Sequence, residues 1–80
     1  MIVSYDNLVG AVYIKMTSDS KIAKTVEFAP ETLVDLAKDG KLIGIEMLNP
    51  GRRVLKRLAK KFHSPELTRI NLQKLQEAVS

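Results

Sequence analysis

Residues 32–47 read TLVDLAKDGKLIGIEM, and what this stretch folds into decides the architecture of the whole chain. Two readings compete. Pro30 and Glu31 in front, Lys38 near the end and Gly40 just beyond are the punctuation of a three-turn helix over residues 29–40. Asp39-Gly40 is equally a dipeptide that closes two-residue hairpins, because it accepts positive φ. Pairing residues 32–38 with 41–47 around that turn sets Leu36 opposite Ile43 and Val34 opposite Ile45, with Met47 on the same side. Asp35 then meets Gly44, and Leu33 meets Glu46. One face of the hairpin becomes wholly apolar, and a one-residue slip would turn that set outward, so turn and pattern support one register. The hairpin is the preferred reading.

Upstream, Ile2-Val3-Ser4-Tyr5 and residues 11–16 (AVYIKM) are rich in β-branched and aromatic residues, and Asp6-Asn7 form a turn between them. This predicts a first hairpin. Val12, Ile14 and Met16 share the face expected in the core, with Ala11, Tyr13 and Lys15 on the other. After the turn cluster Thr17-Ser18-Asp19-Ser20, Ile22, Val26 and Phe28 alternate with Ala23, Thr25 and Glu27 in a third strand, where Lys24 marks an edge.

The run Tyr5-Asp6, then GAVYIK at 10–15, Asp35, and DGKLIGIEML at 39–48 resembles a small prokaryotic family of unknown function. Its members carry a Tyr-Asp opening, an A-x-Y-I strand and a D-G-x-x-x-G-I-E-I-L hairpin. The likeness covers residues 1–50. It implies that residues 32–38 form a strand. It transfers no site, since the family has no established activity, cofactor or catalytic residues. Relatives encoded beside small toxin-like proteins make an antitoxin or partner-binding role an expectation of the resemblance. Residues 52–80 lie outside the motif.

The net charge of +4 conceals a division. Residues 1–50 hold five Lys and seven Asp or Glu, a balance of −2; residues 51–80 hold eight Lys or Arg and two Glu, a balance of +6. Asn49-Pro50-Gly51 is a strong breaker at the changeover. Beyond it Leu55, Leu58, Ala59 and Phe62 recur at helical spacing, predicting an amphipathic helix over residues 52–63. Arg52, Arg53, Lys56, Arg57, Lys60 and Lys61 lie opposite that stripe, with no acid among them. A face of this kind is commonly a solvated surface; its sharper readings are a nucleic-acid-binding site, since clustered Lys and Arg displace counterions from phosphates, and then docking on an acidic protein partner or lying on anionic lipid. Ser64-Pro65-Glu66 reads as an N-cap, a first-turn proline and a dipole-matched acid, opening a second helix toward Val79. Its stripe is untidy: Leu67, Leu75 and Ala78 lie together, with Leu72 and Val79 to one side and Ile70 to the other.

These elements predict an α+β fold in one domain of 80 residues. An antiparallel sheet of about five strands (residues 1–48, two hairpins plus one strand) precedes a basic helical portion (52–80) whose two helices pack on one sheet face. The other face, expected to carry Ala11, Tyr13, Leu33, Ala37, Leu42 and Leu48, is more apolar than water requires and predicts a homodimer. A 45% hydrophobic and 28% charged composition excludes disorder. The absence of cysteine removes thiolate metal sites and thiol nucleophiles, and with no membrane-length apolar run and no signal-peptide pattern at Met1 it predicts a cytoplasmic protein. Asp6, Asp35 and Glu46 are the carboxylates available for acid–base work, yet without His or Cys beside them they predict neither metal site nor catalysis. His63 reads as a helix-end residue, and Tyr5 and Tyr13 as packing or recognition aromatics. The function expected is a non-enzymatic protein-interaction module without cofactor; the alternative is a nucleic-acid-binding or antitoxin-type protein using the basic helix.

Overall fold

The computed structural model describes residues 1–17 and 21–79, with the backbone alone for 76–79. The turn expected at Thr17-Ser18-Asp19-Ser20 and the placement of the Ala78 and Val79 side chains lie outside the described residues. Five strands, β1 (Ile2–Asp6), β2 (Ala11–Lys15), β3 (Lys24–Ala29), β4 (Thr32–Leu36) and β5 (Leu42–Leu48), precede α1 (Arg52–Lys61), a 3-10 helix (Pro65–Arg69) and α2 (Leu72–Val79). The strands form one sheet in the order β1-β2-β5-β4-β3, with every neighbouring pair antiparallel. β5 therefore lies between two hairpins and binds them together. β3, with Lys24, is an edge strand as its charge predicts.

The stretch that decides the fold is a hairpin. Val34 faces Ile45, Asp35 faces Gly44 and Leu33 faces Glu46, as the apolar alternation requires. The turn differs. The Gly40 N–H donates to the Ala37 carbonyl and the Ala37 N–H to the Lys41 carbonyl, both at 2.9 Å, so Lys38-Asp39-Gly40 form a three-residue loop instead of a two-residue one. Gly40 takes φ 89°, the left-handed conformation such a loop needs at its last position, and the Asp39 carboxylate accepts the Lys41 N–H at 3.0 Å. The extra residue is absorbed beside Asp35, where the register shifts and Leu36 faces Leu42, not Ile43. Leu42, expected on the outward face, consequently belongs to the core. Pro30-Glu31, the supposed helix start, is the corner between the paired residues Ala29 and Thr32, and Glu31 adopts φ 60°.

One side of the sheet is covered. Val12, Ile14, Val34, Leu36, Leu42, Ile45 and Met47 pack with Leu55, Leu58, Ala59, Leu67 and Ile70 in a single core. Ile22, expected on the apolar face of the third strand, precedes β3 and is exposed. α1 ends where Phe62 caps it; the Ser64 N–H reaches back to the Ala59 carbonyl at 2.9 Å, and His63 takes φ 52° to allow that closure. His63 is thus a helix-end residue through its backbone.

The second helix is divided. Ile70 is extended (φ −69°, ψ 125°) and separates the 3-10 helix from α2. A continuous helix would set Ile70 and Leu72 about 200° apart, so both could not reach the sheet. The break lets Ile70 enter the core while Leu72 and Leu75 pack at its margin. Asn71 then restarts the chain, its side-chain oxygen accepting the Lys74 N–H at 3.0 Å. Ser64, expected as an N-cap, makes no capping bond; its hydroxyl donates to the Phe62 carbonyl at 3.1 Å. Among the described residues no helix is long and apolar enough to cross a membrane.

Candidate functional site

Strand side chains alternate, so the register assigns the face that no helix covers. Its central row runs Ser4, Tyr13, Glu46, Leu33, Glu27 across the five strands, and the next row runs Ile2, Lys15, Gly44, Asp35, Thr25. Asp6, Ala11 and Leu48 form a third. Tyr13 leans across β5. Its hydroxyl donates to Asp35 Oδ2 at 3.1 Å, and the Thr25 hydroxyl donates to Asp35 Oδ1 at 2.6 Å. Both carboxylate oxygens are therefore engaged, with β2 tied to β4 across β5 and β4 tied to its neighbour β3.

Gly44 makes this crossing possible. A Cβ there would stand 2.5 Å from the Tyr13 hydroxyl oxygen and 3.1 Å from the Asp35 carboxylate. Its φ is not left-handed, so the glycine is required for room and not for conformation. Burial, then the hydrogen bond to Asp35, then the charges of Asp35 and Glu46 hold the Tyr13 phenol above its ordinary pKa of 10.0. A phenol kept protonated, donating to a carboxylate with no free oxygen, is a poor base and a poor nucleophile. The arrangement makes a smooth, hydrogen-bonded surface flanked by Leu33 and Leu48, which are 38% and 41% exposed.

The other residues that sequence reasoning singled out are dispersed. Tyr5 faces Val12 and packs against the core, on the side opposite Tyr13, so the two tyrosines share no recognition surface. The Asp6 carboxylate accepts the Leu8 N–H at 3.0 Å within the β1–β2 turn. Among the described residues no three His, Cys, Asp or Glu side chains gather as a metal site would need.

The basic face stands as its spacing predicts. Arg52, Arg53, Lys56, Arg57, Lys60 and Lys61 are exposed while Leu55, Leu58 and Ala59 are buried beneath them. Among the described residues none of the six cations has an acidic partner. The Arg57 guanidinium lies 5.1 Å from the Phe28 ring centroid, and the Phe28 ring is 6.3 Å from Phe62. Lys60 and Lys61 border the same groove. Arg69, which the sequence placed in a second helix and assigned no role, shares a polar groove with Arg52. Sequence reasoning also passed over Thr25 and Gly44; a glycine inside an otherwise apolar strand is the signal that marks a close approach.

No curated protein and no solved structure matches the chain. The family described as "Protein of unknown function (DUF2283)" matches residues 2–49, all five strands. α1, the 3-10 helix and α2 lie beyond that match, and on its sheet the chain belongs to this family of unknown function.

Proposed function

We propose that the protein is a non-enzymatic interaction module that forms a weak homodimer through its uncovered sheet face. One observation carries this reading: helices bury one side of the sheet, while the other keeps Leu33, Leu48 and Ile2 (66% exposed) in water beside the half-buried Tyr13 and Ala11. A second copy is the occupant that the charges favour. Asp6 lies in the row nearest the β1–β2 turn and Lys15 in the row at the opposite end, where Lys38 and Lys41 flank the long hairpin, while Glu27 and Glu46 lie in the row between. A two-fold axis parallel to the face and perpendicular to the strands turns one copy end for end, so the row of Lys15 in each copy meets the row of Asp6 in the other, on neighbouring strands.

Size sets the strength. Five strands at about 4.8 Å and five residues at about 3.4 Å span roughly 24 by 17 Å, or roughly 400 Å² of projected surface. Standard interfaces bury about 800 Å² per partner, so side-chain relief must supply part of the contact and the affinity belongs at the micromolar end. Asp35 is an anion, so covering it costs free energy that its hydrogen bonds from Tyr13 and Thr25 only partly offset, which keeps the dimer weak. The protonated Tyr13 and dispersed carboxylates favour a binding role over a catalytic one, and the lack of cysteine suits a reducing compartment.

The test is sedimentation velocity from low micromolar to millimolar protein. The expected result is a mass rising from 8.9 kDa toward twice that value, with Leu33→Lys/Leu48→Lys remaining at 8.9 kDa while keeping its circular dichroism. A wild-type protein that stays at 8.9 kDa throughout rejects the dimer.

A further inference from the structure

The sheet-face reading leaves the opposite side of the molecule unused, and that side is strongly charged. We propose that the outer face of α1, extended by Arg69, is a binding site for the phosphodiester backbone of double-stranded nucleic acid. Six cations project from a helix about 15 Å long, with Arg53, Arg57 and Lys60 spanning about 10 Å of its axis. Among the described residues no acid neutralises them. A duplex carries one phosphate charge per about 1.7 Å of its axis, so several phosphates fall within reach of this strip at once.

The chemistry of the face selects among polyanions. Only Lys and Arg point outward from α1, groups that suit phosphates, and the helix presents no aromatic ring on which an unpaired base could stack. Phe28 is half-buried and covered by the Arg57 guanidinium. The expected ligand is therefore a duplex bound chiefly through its backbone. A lipid surface fits less well, because membrane-bound amphipathic helices insert their apolar stripe, and here Leu55, Leu58 and Ala59 are packed in the core. Two features preorganise the site. Stacking on Phe28 restrains Arg57 in the groove that it shares with Lys60 and Lys61, and Arg69 lines a second groove together with Arg52. Nothing in it requires the dimer: the site is complete in one chain.

The experiment is fluorescence anisotropy with a short labelled random-sequence duplex at several salt concentrations. If about four phosphates are contacted, the affinity falls roughly 150-fold between about 50 and about 200 mM salt. Arg53→Glu/Arg57→Glu/Lys60→Glu/Lys61→Glu should abolish binding at low salt. A variant with the same net charge, Lys21→Glu/Lys24→Glu/Lys38→Glu/Lys41→Glu, should retain it within a few-fold. Should the first variant fail to show a native circular dichroism spectrum, the milder Arg53→Gln/Lys60→Gln should still flatten the salt dependence and weaken binding more than tenfold. The proposal is overturned by absence of wild-type binding at low salt, by equal losses in the two charge-matched variants, or by tighter binding to phosphatidylserine vesicles than to the duplex. Because Leu33→Lys/Leu48→Lys leaves α1 intact, its retained duplex binding separates this site from the sheet face.

Discussion

Gly44 is where a single atom matters most. The absence of its Cβ admits the Tyr13 ring, and the Tyr13 ring closes the hydrogen bonds that join three strands. Gly44→Ala is expected to cost about 1–3 kcal/mol in urea unfolding, the usual range for forcing extra volume into a packed site. In Tyr13→Phe the same alanine should cost less, since the hydroxyl that it meets at 2.5 Å is gone; purely additive losses would show that the crossing does not constrain Gly44. The raised pKa of Tyr13 fixes a sign as well. The folded protein holds the phenolic proton more tightly than the unfolded chain, so Tyr13 supports stability below pH 10 and loses that contribution as the pH climbs through its folded pKa. Absorbance titration of a Tyr5→Phe protein should place the Tyr13 midpoint above 10.0, and Asp35→Asn should lower it toward that value. The pairing of Asp35 with Gly44 was legible in the hairpin register, but the approach of Tyr13 and Thr25 was not, because the order of β2, β5, β4 and β3 is set by non-local pairing.

At the scale of elements, local patterns read well and their junctions read poorly. The apolar alternation of Val12 and Ile14, the helical spacing of Leu55, Leu58 and Ala59, and the agreement of Val34 with Ile45 each follow from a period within one segment. Asp39-Gly40 announced a turn, yet the dipeptide fits two-residue and three-residue loops alike, and only the shift beside Asp35 shows which one formed. That difference moved Leu42 from the water side to the core. Similarly, Pro65 and Glu66 signalled a helical start, while the break at Ile70 answers to a sheet that the second helix alone does not encode. The pinning of α1 is the element-level claim to test. Leu58 is fully buried, so Leu58→Ala is expected to cost about 2–5 kcal/mol. An 80-residue domain holds only about 4–12 kcal/mol in total, so this loss should shift the urea midpoint severely. The exposed Lys56→Ala should leave it within about 0.5 kcal/mol. A mild Leu58→Ala would mean that α1 is not anchored on the sheet.

Taken whole, the molecule is elongated, 38 × 24 × 23 Å, with two chemically different sides. The sheet face is mixed, with apolar side chains, carboxylates and a lysine around a closed hydrogen-bond bridge; the outer face of α1, on the helical side, carries only Lys and Arg. The charge division along the chain foretold these two surfaces, since the changeover at Asn49-Pro50-Gly51 is also the passage from sheet to helices. The faces should respond differently to salt: duplex binding weakens steeply, whereas self-association held mainly by Leu33, Leu48 and Tyr13 changes little. Dilution followed by amide NMR tests directly which surface pairs two copies. Between millimolar and low micromolar protein, the account expects shift changes at Ala11, Tyr13, Leu33, Glu46 and Leu48, with α1 unmoved. Changes confined to α1, or none on the sheet face at any concentration, would contradict it.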